Sequence, residues 1–199
     1  MAKFAFLPTR LPPGLSNSLG RTVAKTGITP NMVSVVGFLG NALAAWLITQ
    51  EMLVWAGLVY GFFSALDLVD GAVARATNRA TPYGAVFDAV LDRASEALVL
   101  AGIAWYFGDR GEYLQAGVTY AALFGSVAVS YMRARAEVMG ISMRDGLFRR
   151  QERVVVVTAG LLFNWLTIVA WILAILSNAT ALQRFWLLAK ALGREQDDS

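Results

Sequence analysis

The sequence contains no cysteine and no histidine. The first absence excludes disulfides and thiolate metal sites. The second removes the commonest general base and the commonest transition-metal ligand. Any metal must then be held by oxygen, which favours Mg²⁺ or Mn²⁺ over zinc. A catalytic base is restricted to a carboxylate, Lys or Tyr. Charge is also sparse: only 16% of the 199 residues are Asp, Glu, Lys or Arg. No charged, repetitive or low-complexity tract marks a boundary, so residues 1–199 read as a single domain, with 1–30 as an N-terminal juxtamembrane segment.

What fills the space is apolar. The chain is 57% hydrophobic, with a mean hydropathy of +0.53, above the roughly 45–50% of a soluble domain. The excess is gathered into long runs at 32–49, 53–74, 83–107 and 113–130, the last continuing as helix to 137. Residues 154–177 and 179–192 form the final apolar region. It reads either as one span followed by a surface helix or as two spans that break near Asn164, the first starting before Val154. Residues 1–13 lack an apolar core followed by a small-residue cleavage site, which argues against a signal peptide. Residues 11–26 mix apolar and basic groups and read as a short amphipathic helix on the membrane surface.

Basic residues choose between the two readings. Lys3, Arg10, Arg21 and Lys25 precede the first span, and Arg75 and Arg79 lie between the second and third. Arg133, Arg135, Arg144, Arg149, Arg150 and Arg153 lie between the fourth and fifth, whereas Arg110 alone occupies the opposite side. Lys190 and Arg194 belong with the basic majority, which requires an even number of spans. The expected fold is therefore an all-α integral membrane protein of six transmembrane helices, preceded by the surface helix, with both termini cytoplasmic. The net charge of +3 is a topology signal. No aromatic-basic interleaving suggests nucleic acid.

Four acids break the apolar pattern. Asp67, Asp70, Asp88 and Asp92 fall within helix-length apolar sequence. Each would cost about 2.5–3.5 kcal/mol at mid-membrane depth, so they require a polar cavity or a cation. Asp67 and Asp70 are three apart, with Gly71 and Ala74 on the same helix face. Gly84, Asp88 and Asp92 repeat every four residues on one face of the next helix. The short connection Arg79-Ala80-Thr81-Pro82 would join the two as an antiparallel pair. Four carboxylates brought together raise one another's pKa unless counter-charge is present. One or two divalent cations supply it, and two metals about 3.5–4 Å apart suit displacement at phosphorus. Arg75 can neutralise phosphate oxygens. Structural ion pairs with Arg75, Arg79 and Arg93 are the plainer explanation for any single Asp. They explain poorly four acids on two faces with two glycines in register.

These residues resemble the signature of the CDP-alcohol phosphatidyltransferase family, D-x2-D-G-x2-A-R-x8-G-x3-D-x3-D, with all eight specified positions matched across residues 67–92. The resemblance implies phospholipid biosynthesis: metal-dependent transfer of a phosphatidyl or archaetidyl group from CDP-diacylglycerol or CDP-archaeol to an alcohol, with release of CMP. It implies that Asp67, Asp70 and Asp88 bind one ion, and that Asp67, Asp88 and Asp92 bind a second. Asp92 would also be the catalytic base. Gly71, Arg75 and Thr81 would contact the CDP moiety. Pro30, Asn31, Met32 and Val33 resemble the family's nucleotide-binding stretch before the first span, although Thr29-Pro30 also reads as plain helix-start punctuation. A homodimer in the cell membrane, with a cytoplasmic active site, is implied as well.

The acceptor is read from the segment between the fourth and fifth spans. Ser130-Tyr-Met-Arg133-Ala-Arg135-Ala-Glu137 and Gly146-Leu-Phe-Arg149-Arg150-Gln-Glu152-Arg153 are rich in arginine, which binds phosphate bidentately. The pattern resembles the family branch that makes phosphatidylinositol phosphate, or its archaeal ether-lipid counterpart, from inositol phosphate. It implies that Ser130, Arg133 and Arg153, with Arg184 as a further contact, hold the acceptor phosphate. Glycerol phosphate or another phosphorylated polyol is the alternative acceptor. A membrane transporter with an intramembrane cation site is the alternative from another class.

Overall fold

The computed structural model describes residues 29–76, 81–143 and 148–197, with the side chains of 67–76 and 194–197 outside the described set. Within those residues lie six helices: α1 (Pro30–Thr49), α2 (Leu53–Ala76), α3 (Pro82–Asp109), α4 (Tyr113–Val138), α5 (Arg150–Leu162) and α6 (Leu166–Asp197). The surface helix expected over 11–26 lies outside the described residues.

Local sequence sets the helix ends. α1 and α3 both start at Thr-Pro. Thr29 Oγ1 accepts from the Met32 amide at 3.3 Å and Thr81 Oγ1 from the Gly84 amide at 3.0 Å. The proline follows at the first helical position, where its missing N–H costs nothing. α1, α3, α4 and α5 end alike, with a left-handed residue after the cap: Glu51, Gly111, Gly140 and Asn164. In each case the next amide bonds back to the final turn, as Trp165 N–H does to Gly160 O at 2.8 Å. Asn164, at φ 56°, is therefore the break expected in the last apolar region, and it makes two helices of it.

The helices pack through small residues. α1 lies against both α2 and α3, α4 against α3 and α6, and α5 against α2 and α6. α1 is thus a common neighbour of α2 and α3, while the expected antiparallel pairing of α2 with α3 involves residues 67–76, whose side chains lie outside the described set. Gly102 explains the close approach of α3 to α1: a Cβ there would stand 2.8 Å from the Ala45 carbonyl oxygen. Gly125 does the same for α4 and α6, where a Cβ would stand 2.8 Å from the Asn178 amide nitrogen. Such small-residue contacts let helix backbones approach closely. The core they enclose includes Ile48, Val99, Ile103, Phe107, Leu161 and Leu173.

Outward faces are apolar too, with Trp55, Phe62, Trp105, Phe124, Phe185 and Trp186 all exposed. By length and composition, α1 and residues 166–193 of α6 can each cross a membrane unaided, while Leu53–Leu66 is a shorter apolar stretch. The acids and arginines at one end of α2 and α3 interrupt their apolar runs.

Candidate active site

The site is assembled on α3. Asp88 and Asp92 stand one turn apart, and each is held differently. Asp88 Oδ1 accepts from the hydroxyl of Ser34, a buried residue of α1, at 3.0 Å. Asp92 Oδ2 pairs with Arg150 Nη1 at 2.8 Å and more distantly with Arg93 Nη1 at 3.7 Å. Near the start of α3, Gly84 lies where Asn31 and Thr81 converge. A Cβ there would be 3.2 Å from Asn31 Oδ1 and 3.1 Å from Thr81 Oγ1. The first turn of α1, which carries Pro30, Asn31, Met32 and Val33, is thereby placed beside the acidic helix.

Asp92 opens onto a cavity of about 650 Å³. Its walls come from four helices and one loop. α4 gives Ser130 and Arg133, α5 gives Arg150 and Arg153, α6 gives Arg184, and Arg149 precedes α5. All four residues expected to hold the acceptor phosphate thus line one cavity with Asp92. Each is braced by a neighbour. Ser130 Oγ donates to Ser126 O at 3.2 Å, Arg133 Nε to Glu137 Oε1 at 2.9 Å, and Arg184 Nη1 to Val129 O at 2.8 Å. Arg153 is held most firmly: Nε and Nη2 grip both carboxylate oxygens of Glu96, the latter at 3.0 Å, and Nη1 donates to Phe148 O at 3.3 Å.

Asp67, Asp70, Gly71 and Arg75 lie in the second half of α2, and their side chains fall outside the described residues. Among the described residues no three acids cluster as a metal site. Asp88 and Asp92 offer carboxylate oxygens only, in a chain without histidine or cysteine. That donor chemistry fits a hard divalent cation such as Mg²⁺ or Mn²⁺. Thr81 caps α3 with its hydroxyl oxygen, so helix initiation accounts for that threonine as well as nucleotide contact does.

Sequence reasoning passed over Glu96 and did not assign Arg93, Arg149 or Arg150 to the site. The signals were present. Glu96 continues the four-residue spacing of Asp88 and Asp92, and Arg150 precedes Arg153 by three, on the same helix face.

Comparison with known proteins bears on this arrangement. The family model for CDP-alcohol phosphatidyltransferase matches residues 27–191. An archaetidylinositol phosphate synthase from Pyrococcus horikoshii is 37% identical over 175 residues, covering 87% of this chain and 90% of that protein. A phosphatidylinositol phosphate synthase from Mycobacteroides abscessus is 35% identical over 180 residues, covering 85% and 81% respectively. The crystal structure of Mycobacterium tuberculosis phosphatidylinositol phosphate synthase with CDP-DAG bound superposes with a TM-score of 0.81 at 29% identity, covering 88% of this chain and 94% of that one. The same enzyme in complex with manganese and citrate gives 0.78 at 30% identity, covering 87% and 88%. With the matched region spanning most of its length, the chain is a membrane-associated enzyme of the CDP-alcohol phosphatidyltransferase family.

Proposed function

We propose that this enzyme transfers a phosphatidyl or archaetidyl group from a CDP-linked lipid to inositol phosphate, releasing CMP. The observation that carries the reading is the shared cavity: Asp92 faces the same space as Ser130, Arg133, Arg153 and Arg184. A carboxylate that can take a proton stands beside a wall suited to a phosphate dianion. The relatives named for inositol phosphate products favour that acceptor over glycerol phosphate.

In the proposed mechanism the acceptor phosphate is held by the arginine wall, which turns a polyol hydroxyl towards Asp92. Asp92 takes the hydroxyl proton. The oxygen forms a bond to the phosphorus attached to the lipid glycerol, and the bond from that phosphorus to the CMP oxygen breaks. Arg75 meets the charge on the departing CMP, while Asn31, Gly71, Thr81 and the first turn of α1 orient the nucleotide. Asp67, Asp70, Asp88 and Asp92 would hold two divalent ions, Mg²⁺ or Mn²⁺, which when bound offset the charge of the diphosphate. Ser34 fixes the Asp88 carboxylate for that purpose. Orientation and electrostatics supply most of the acceleration in such a site.

The six helices are proposed to cross the membrane, with both termini and the site at the cytoplasmic face, residues 1–199 forming one domain and the chain working as a homodimer. Exposed aromatic and aliphatic faces and the one-sided distribution of arginine support this topology.

CMP release by purified protein tests the reading. CDP-diacylglycerol or CDP-archaeol is supplied with Mg²⁺ and, separately, inositol phosphate, glycerol phosphate or free inositol. Release with inositol phosphate alone is expected. Release with only another acceptor overturns the acceptor assignment. No release from folded protein with either donor overturns the proposed function.

A further inference from the structure

Glu96 is an unusual residue to find behind an arginine wall. It is buried, as is its partner Arg153. A carboxylate there subtracts positive charge from a cavity that has to attract an anion. Nor is stability a sufficient reason for it, because a buried ion pair often does no better than apolar residues of the same volume. What the pair does supply is orientation. Arginine carries five N–H donors in a planar fork. Glu96 grips the edge formed by Nε and Nη2, and Phe148 O takes one donor of Nη1. Two donors on the Nη atoms remain, and Arg153 lines the cavity with Ser130 and Arg184.

The position of Glu96 along α3 matters equally. It follows Asp92 by four residues, a rise of about 6 Å along one helix. We infer that Glu96 is a positioning residue, which holds the guanidinium of Arg153 at a fixed distance from Asp92, so that α3 sets which hydroxyl-to-phosphate spacing the acceptor site accommodates. This inference rests on the proposed function. It adds a determinant of acceptor selectivity on the same helix as the acidic signature.

Glu96→Gln in the full-length enzyme tests it. The kcat/KM for inositol phosphate is expected to fall about tenfold or more, through a raised acceptor KM and a lowered kcat, with the donor KM changing less than about twofold. In an Arg153→Gln background, Glu96→Gln is expected to add nothing further to the acceptor KM, because it acts through that arginine. A merely structural role would weaken donor affinity and lower the melting temperature as well, and that pattern overturns the proposal. So does an equal effect with and without Arg153. If Glu96→Gln does not fold, Glu96→Asp keeps the charge but draws the guanidinium back by a methylene. An unchanged acceptor KM in that variant is also an overturning result. Thermal stabilisation by inorganic phosphate separates this idea from the acceptor assignment. If inositol phosphate is not a substrate, loss of the phosphate-induced shift in Glu96→Gln still supports the role of Glu96, and an intact shift overturns it.

Discussion

The two walls of the cavity are built on opposite principles. On α3, Asp92 lines the cavity and Asp88 stands one turn before it; Ser34 holds Asp88, while Arg150 and Arg93 pair with Asp92. Across from them, α4, α5 and α6 bring arginines, each with an internal partner: Glu137 for Arg133, Glu96 for Arg153 and the Val129 carbonyl for Arg184. The acidic wall offers carboxylate oxygens, the donor type that suits hard divalent cations. The basic wall is held in shape by the chain itself. One wall is thus suited to metal and diphosphate, the other to a preorganised anion, and Asp92 stands where they meet.

Substitutions can pull the two walls apart. The largest effect is expected at the junction. Asp92→Ala should reduce CMP release by about 10³-fold or more, in line with the loss of a general base, while donor binding measured by thermal shift is largely kept. Retention of near-normal turnover would remove Asp92 from the base role. On the basic wall, Arg184→Gln should raise the acceptor KM by roughly 10- to 100-fold, the equivalent of one charge-assisted hydrogen bond. Its effect on the donor KM should be slight, and an equal rise in both would blur the division of labour. Away from both walls, Gly125→Ala pushes a methyl group against the Asn178 backbone. It should destabilise the α4–α6 packing by about 1–3 kcal/mol, seen as a lower melting temperature with substrate KM values unchanged. The smallest effect belongs to the acidic wall's own brace. Ser34→Ala removes one hydrogen bond from Asp88, worth about 1 kcal/mol. The Mn²⁺ concentration giving half-maximal thermal stabilisation should rise about fivefold, and no change would show that Asp88 needs no such support.

How much of this was legible beforehand differs by element. The acidic signature was readable because helical spacing alone places Asp88 and Asp92 on one face, and because acids in apolar sequence stand out. The break at Asn164 was readable from charge distribution, although the sequence also allowed a single span with a surface helix. The arginines were readable as a class but not as individuals. Arg149, Arg150 and Arg153 are adjacent in sequence, yet Arg150 reaches Asp92 while Arg153 reaches Glu96. Glu96 was hidden for the same reason: an acid inside an apolar helix announces a partner but not which one, and Arg153 lies 57 residues away.

Sequence alone determined the helical composition, the helix starts at Thr29-Pro30 and Thr81-Pro82, the oxygen-only donor chemistry and the signature spacing. Each depends on residues within a few turns of one another or on residue types the chain lacks. Tertiary structure decided that α1 would be the common neighbour of α2 and α3, that Ser34 would reach Asp88, and that residues from α3 to α6 would enclose one cavity. Those outcomes depend on which helix backbones can approach closely, as at Gly102 and Gly125, and on which buried charges find a partner across the bundle, and both are settled only when distant segments pack together.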